Sequence, residues 1–259
     1  QVFVDSAPHL QDRAVGLLAV LSVVTALLSA AFMKLQMRAA AASPVYTIAE
    51  RILAVGIVPI VVGGLVVALN PLFNGMPVYE PAIVNRFLFG YVGTGVILGL
   101  LSRWLFPAAA GGLLRPILEG LSVVLIALGA TLILRHAFSG PDMSSRTPGS
   151  AAFFEAVSMT LLWLMLAGMV VLWRNKRTSA VLDWSVVALG TIAAGAAALM
   201  LGVIRNPLID HTLVEGPIVF NRILWGYAPV AVGFLLVARV VEWREAWLMR
   251  LLQATGLGA

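Results

Sequence analysis

Seven long apolar runs, separated by short polar or turn-forming stretches, organise the chain: roughly 14–33, 48–69, 82–102, 116–135, 151–173, 182–204 and 218–240. Each approaches the ~20 mostly apolar residues that a helix needs to cross a bilayer. None alternates with the period of two that marks a membrane β-strand, and their glycines suit packed helices. The pattern predicts an all-α fold, a polytopic transmembrane helical bundle of about seven spans.

The polar stretches carry a second pattern. Residues 70–91 read NPLFNGMPVYEPAIVNRFLFGY and residues 206–227 read NPLIDHTLVEGPIVFNRILWGY, with ten of 22 positions identical and no gap. The offset is 136 residues, and four apolar runs lie within it. An even number of crossings puts both copies on the same side, so the expectation is a parallel internal repeat about an axis along the membrane normal. The chain reads as a single membrane domain over 1–259, with repeat one at 14–105 (three helices) and repeat two at 116–241 (four helices). Helix 116–135 has no earlier counterpart, while LLRPIL at 113–118 has a faint echo in LMRLLQ at 248–253. A four-helix unit repeated along a longer protein, of which this chain is a fragment, is the expectation.

Charge orients the bundle. Eleven Lys and Arg residues fall on one set of connections, including Lys34, Arg103, Arg174 and Arg239, and six fall on the other, including Arg86 and Arg222. The positive-inside rule places the eleven in the cytoplasm, the N-terminus outside and the C-terminus inside. Five tryptophans, Trp104, Trp173, Trp184, Trp243 and Trp247, fall near the inner boundary, where an aromatic belt belongs.

Composition changes the picture only by exclusion. Hydrophobic residues make up 61% of the chain and charged residues 11%, with mean hydropathy +0.98. Lipid must therefore be the solvent for most of the surface, since soluble domains carry about 25% charged residues. The net charge of +5 comes from flanking Lys and Arg, so no nucleic-acid partner is expected. The absence of cysteine removes disulfides, thiolate metal sites and a cysteine nucleophile.

Candidate chemistry centres on the repeated stretch. Asn-Pro at 70–71 and 206–207 ends a helix, because the residue before proline resists the α region. Pro81 and Pro217 suit the first turn of the next helix. That places Asn85-Arg86 and Asn221-Arg222 one turn further in, near the outer headgroup level. Gly90 and Gly226 lie four residues after each Arg, leaving room beside it. Tyr91 and Tyr227 come next, as interface anchors or packed rings. These residues form either a helix-packing site or a pair of outward Asn/Arg pockets for an anionic group, which a guanidinium fork suits. Glu155, near the outer boundary, is placed either to pair with Arg86 or Arg222 or to face headgroups.

Elsewhere, Arg115 and Glu119 at i,i+4 predict a local ion pair, and Asp183 fits a helix N-terminus. His9, His136 and His211 fall in outward loops without metal-ligand spacing. No Walker loop, dinucleotide fingerprint or nucleophile elbow occurs. No catalytic, cofactor or metal residue is assigned. Pro229 predicts a bend in the last span.

The paired elements NPL…P…NRxLxGY within Gly/Ala/Leu-rich spans resemble those of a family of large bacterial multi-pass membrane proteins, a domain family of unknown function. The resemblance covers 70–105 and 206–241. It implies a bacterial inner membrane and a longer parent chain, and it transfers no activity. Three functions fit the residues: a multi-pass scaffold or assembly module of the cell envelope, a transporter or lipid/polysaccharide-handling protein with an outward site between repeats, and a membrane-embedded transferase on lipid-linked substrate. Near-absence of ionisable groups inside the spans favours the scaffold. The expected partners are the lipid bilayer and either further helices of the parent chain or other membrane proteins.

Overall fold

Helices that are apolar all round cannot choose neighbours by an amphipathic stripe, so small residues and a few polar groups decide the packing. The computed structural model describes residues 2–38, 44–104, 113–174, 179–206, 209, 222–240 and 246–258. Among the described residues all regular secondary structure is helical, without strands. Helix α1 covers Val2–Arg38. Helix α2 starts as Pro44–Val58 and continues as a π-helix over Pro59–Ala68. A single turn, α3, covers Pro71–Asn74. Helix α4 opens with π-turns at Leu88–Gly93 and becomes α-helical over Thr94–Trp104. Helices α5 and α6 cover Leu114–Ser139 and Gly149–Arg174. Helix α7 runs from Ala180–Ala196 into a π-helix at Ala197–Ile204. Helices α8 and α9 cover Arg222–Val240 and Ala246–Gly258.

Among the described residues, five helices are long and apolar enough to cross a membrane: Arg13–Leu35, Pro44–Ala68, Leu114–Ser139, Gly149–Arg174 and Ala180–Ile204. The runs at 82–102 and 218–240 correspond instead to shorter apolar helices, Leu88–Arg103 and Ile223–Arg239. For the first of these the cause is local. Residues 75–85 stay non-helical and the helix starts only at Arg86, so Pro81 does not open it. Asn85 caps that start, its Oδ1 accepting from the amides of Phe87 at 2.9 Å and Leu88 at 3.2 Å. An N-cap needs non-helical backbone at its own position, which holds the preceding residues out of the helix. Pro217 lies outside the described residues. A second difference concerns His136: α5 continues to Ser139, so His136 is helical and buried rather than in a loop.

The chain divides into two compact units, Gln1–Ser144 and Ser145–Ala259, which places the 116–135 run in the first. In the first unit α1 packs on α2 and α4, and α5 on α4 and α2. In the second, α6 packs on α7 and α8, and α9 on α8 and α7. Glycines set the closest approaches. A Cβ on Gly129 would lie 2.8 Å from both Tyr91 Cβ and Val92 Cγ2, and one on Gly95 would lie 3.0 Å from the Ser122 carbonyl oxygen. These two glycines bring the α4 and α5 backbones together. On α9, a Cβ at Gly256 would stand 2.9 Å from Phe234 Cβ and 3.1 Å from the Ala231 carbonyl oxygen. The core of the first unit gathers Val15, Ile57, Leu65, Phe87, Leu98, Leu118 and Leu125. Many large apolar side chains remain outward, among them Leu17, Val20, Ile52, Phe89, Met165 and Leu236. On helices of this length and composition, such faces suit lipid rather than water.

Candidate functional site

The first copy of the repeated stretch forms the corner between α2 and α4. Asn70 closes α2 and opens α3 with one side chain. Its Nδ2 donates to the Val66 carbonyl at 3.2 Å, and its Oδ1 accepts from the Leu72 amide at 3.0 Å. Gly75 ends the turn at φ 66°, the left-handed region where a side chain would be strained. The chain then crosses toward the end of α5, where the Val78 amide donates to the Pro141 carbonyl at 2.9 Å.

Glu80 and His136, neither singled out by the repeat, organise the segment leading into α4. The Glu80 carboxylate accepts from Arg86 Nε at 2.9 Å and also from the Arg86 backbone amide. The Arg86 side chain is 5% exposed and that of Glu80 25% exposed. The His136 ring spans two carbonyl groups, with Nε2 2.9 Å from the Glu80 oxygen and Nδ1 2.8 Å from the Gly140 oxygen. Phe87 meets the same ring edge-on, with centroids 6.5 Å apart. The loop is thus tied to α4 by an ion pair and to α5 by an imidazole. Asn85 is spent on the backbone, since its Nδ2 also donates to the Ala82 carbonyl at 2.8 Å.

Tyr91 is fully buried, and its hydroxyl donates to the Leu65 carbonyl at 2.7 Å. Leu65 lies in the last turn of the α2 π-helix, where carbonyls run out of amide partners within the helix. The ring stacks edge-on with Phe87 at 5.9 Å. Tyr91 is therefore a cross-helix tie, and its polar tip serves the fold.

The second copy repeats several of these bonds. The Tyr227 hydroxyl donates to the Leu201 carbonyl at 2.6 Å, and Asn206 Nδ2 donates to the Gly202 carbonyl at 3.1 Å. The Arg205 amide donates to the Met200 carbonyl at 2.7 Å, as the Leu69 amide does to the Gly64 carbonyl at 2.9 Å. Each of these bonds lies 136 positions from its counterpart. Gly90 and Gly226 both serve close packing: a Cβ on Gly90 would strike the Val15 side chain, and one on Gly226 the Phe153 ring. Phe153 also packs on Tyr227, with ring centroids 5.8 Å apart. Glu155 is buried in α6 of the second unit. Asn221 and the Arg222 side chain lie outside the described residues.

In the first unit an open groove of about 290 Å³ lies beside the corner, its polar lining from Glu80, Asn85 and Arg86 and its apolar lining from Val15, Val84 and Phe89. A second, apolar groove of about 360 Å³ shares Gly16, Phe89 and Gly90 with it and continues between α1 and α4 past Val20, Val24 and Ile97.

Other charged groups pair elsewhere in the two units. Arg115 Nε donates to Glu119 Oε1 at 2.9 Å within α5, both residues buried. Arg174 Nη1 lies 3.3 Å from Asp183 Oδ1 at the first turn of α7, whose N-cap is Ser179. Glu50, within α2, is buried with its Oε1 lacking a hydrogen-bond partner. Among the described residues, no three His, Cys, Asp or Glu side chains are grouped to hold a metal ion. No family model, curated protein or solved structure matches this chain.

Proposed function

We propose that the protein is a multi-pass scaffold or assembly module of the bacterial cell envelope, set in the inner membrane with its N-terminus outside and its C-terminus in the cytoplasm. It carries a parallel internal repeat at an offset of 136 residues, repeat one over 14–105 with three helices and repeat two over 116–241 with four, crossing the bilayer about seven times. The paired tyrosine bonds, Tyr91 to the Leu65 carbonyl and Tyr227 to the Leu201 carbonyl, carry this reading. The repeated polar residues are consumed in holding helices together: Tyr91 and Tyr227 tie π-helical ends, Asn85 caps α4, and Arg86 is neutralised by Glu80. Asn221, Arg222 and Glu155 act at the second corner in the same sense. A reactive or transporting site calls instead for convergent ionisable groups within the bundle.

The test separates folding from phenotype. In the Arg86→Ala/Arg222→Ala double variant, a scaffold loses assembled protein, and any envelope defect tracks the amount assembled. Wild-type levels of assembled protein together with full loss of phenotype would instead assign the corners to a ligand.

A further inference from the structure

The two grooves of the first unit form one amphipathic channel, and its dimensions match half a bilayer. The polar wall sits at the start of α4, at the level of the non-helical corner. From Gly16 to Val24 the apolar part runs along α1 for about 12 Å at ~1.5 Å per residue, inside a segment fit to cross the membrane. One leaflet of hydrocarbon is about 15 Å thick. A groove with a polar mouth at the boundary and apolar walls of one-leaflet depth fits a phospholipid, headgroup up and one acyl chain down.

The mouth selects the headgroup. The Arg86 guanidinium is covered and already held by Glu80, whereas Glu80 lines the groove with a quarter of its side chain exposed. A carboxylate has about four lone-pair sites, and Arg86 takes two of them. The exposed edge therefore presents acceptors, which a primary ammonium with its three N–H donors completes. We propose that this groove is a binding site for an amine-headgroup phospholipid, an ethanolamine type, with its ammonium on Glu80 and an acyl chain between α1 and α4. This site lies within the first unit and does not depend on the scaffold reading. A choline headgroup has no N–H to donate, and an anionic glycerol headgroup meets a carboxylate instead of a free cation.

Native mass spectrometry of the full chain decides it, using ethanolamine, choline and glycerol phospholipids with identical acyl chains. The wild type is expected to retain the ethanolamine lipid most strongly. Glu80→Gln is expected to weaken that retention about tenfold while changing choline-lipid retention little, as for loss of one charge-assisted bond. Gly16→Leu leaves the ion pair intact and grows into open space, since a Cβ there meets nothing within 4 Å. It is expected to cut retention of all three lipids by blocking the chain groove, while Gly16→Ala leaves retention near wild type. If Glu80→Gln fails to fold, the wild-type headgroup order and the Gly16→Leu result still decide. Preference for the anionic lipid, indifference to headgroup, or unchanged retention in Gly16→Leu would each overturn the proposal.

Discussion

Removing one oxygen, by Tyr91→Phe, isolates the tie between α4 and the π-helical end of α2. The ring keeps its place, because its edge-on contact with Phe87 at 5.9 Å does not involve the hydroxyl. The change deletes the 2.7 Å bond to the Leu65 carbonyl, in a position that no water reaches. Interhelical hydrogen bonds in membranes are worth about 0.6 kcal/mol on average and up to ~1.7. This one lies at the high end, because Leu65 sits in a terminal turn and its carbonyl is left unsatisfied. The expected loss is about 1.5 kcal/mol, close to a tenfold change in the folding equilibrium. Tyr227→Phe removes the matching 2.6 Å bond, and its half-buried ring lets water replace part of it, so about 1 kcal/mol is expected. The two tyrosines belong to different units, so the double variant should lose the sum. Reversible unfolding in lipid bicelles, driven by steric trapping, measures these differences. If Tyr91→Phe matched the wild type within ~0.3 kcal/mol while Tyr91→Ala was strongly destabilised, the ring alone would matter and the hydroxyl tie would be refuted.

The same geometry makes three further outcomes testable. Gly129→Ala places a Cβ 2.8 Å from Tyr91 Cβ and should cost about 1–3 kcal/mol, whereas Gly63→Ala, with nothing within 4 Å, should be neutral or slightly stabilising in the same unfolding assay. Arg115→Ala takes the guanidinium from the buried Glu119 carboxylate and should cost about 3–5 kcal/mol, while Arg115→Met/Glu119→Leu should recover most of that loss; equal losses in both would show that the cost does not come from an orphaned carboxylate. Asn85→Ala removes the α4 cap and should cost about 0.5–2 kcal/mol, with Asn85→Asp retaining most of it, as hydrogen exchange at the Phe87 and Leu88 amides would report.

Apolar runs and turn residues make the helical membrane character and the approximate helix positions legible. The identity between 70–91 and 206–227 also draws attention to the corner between α2 and α4. It points less well to the residues that organise it. Glu80 aligns with Gly216, so a search for shared positions passes over it, although it holds Arg86. His136 reads as a loop residue because the hydropathy run stops at Arg135, whereas the helix continues for another turn to Ser139. A helix boundary is set by hydrogen bonds, and hydropathy cannot see the partners offered by a distant loop. The late start of α4 has the same origin: Asn85 reads equally well as a residue inside a helix or as its cap, and only its bonds to Phe87 and Leu88 decide. The π-helical ends of α2 and α7 leave no compositional trace. They are apparent only from the hydrogen bonds that skip an extra residue, such as Leu69 to Gly64.

The short apolar stretch of α4 has a consequence for the surrounding membrane. Leu88–Arg103 rises only about 24 Å at ~1.5 Å per residue, against a hydrocarbon thickness of about 30 Å. Its neighbour α5, at 26 residues, exceeds that thickness. With α4 set in the bilayer as proposed, lipid touching this side of the first unit meets two unequal apolar heights within one helix diameter. Each ångström of mismatch costs a fraction of a kcal/mol, relieved by thinning on the α4 side and tilt of α5. The protein would accordingly pinch the bilayer locally and settle more readily in thin membranes than in thick ones.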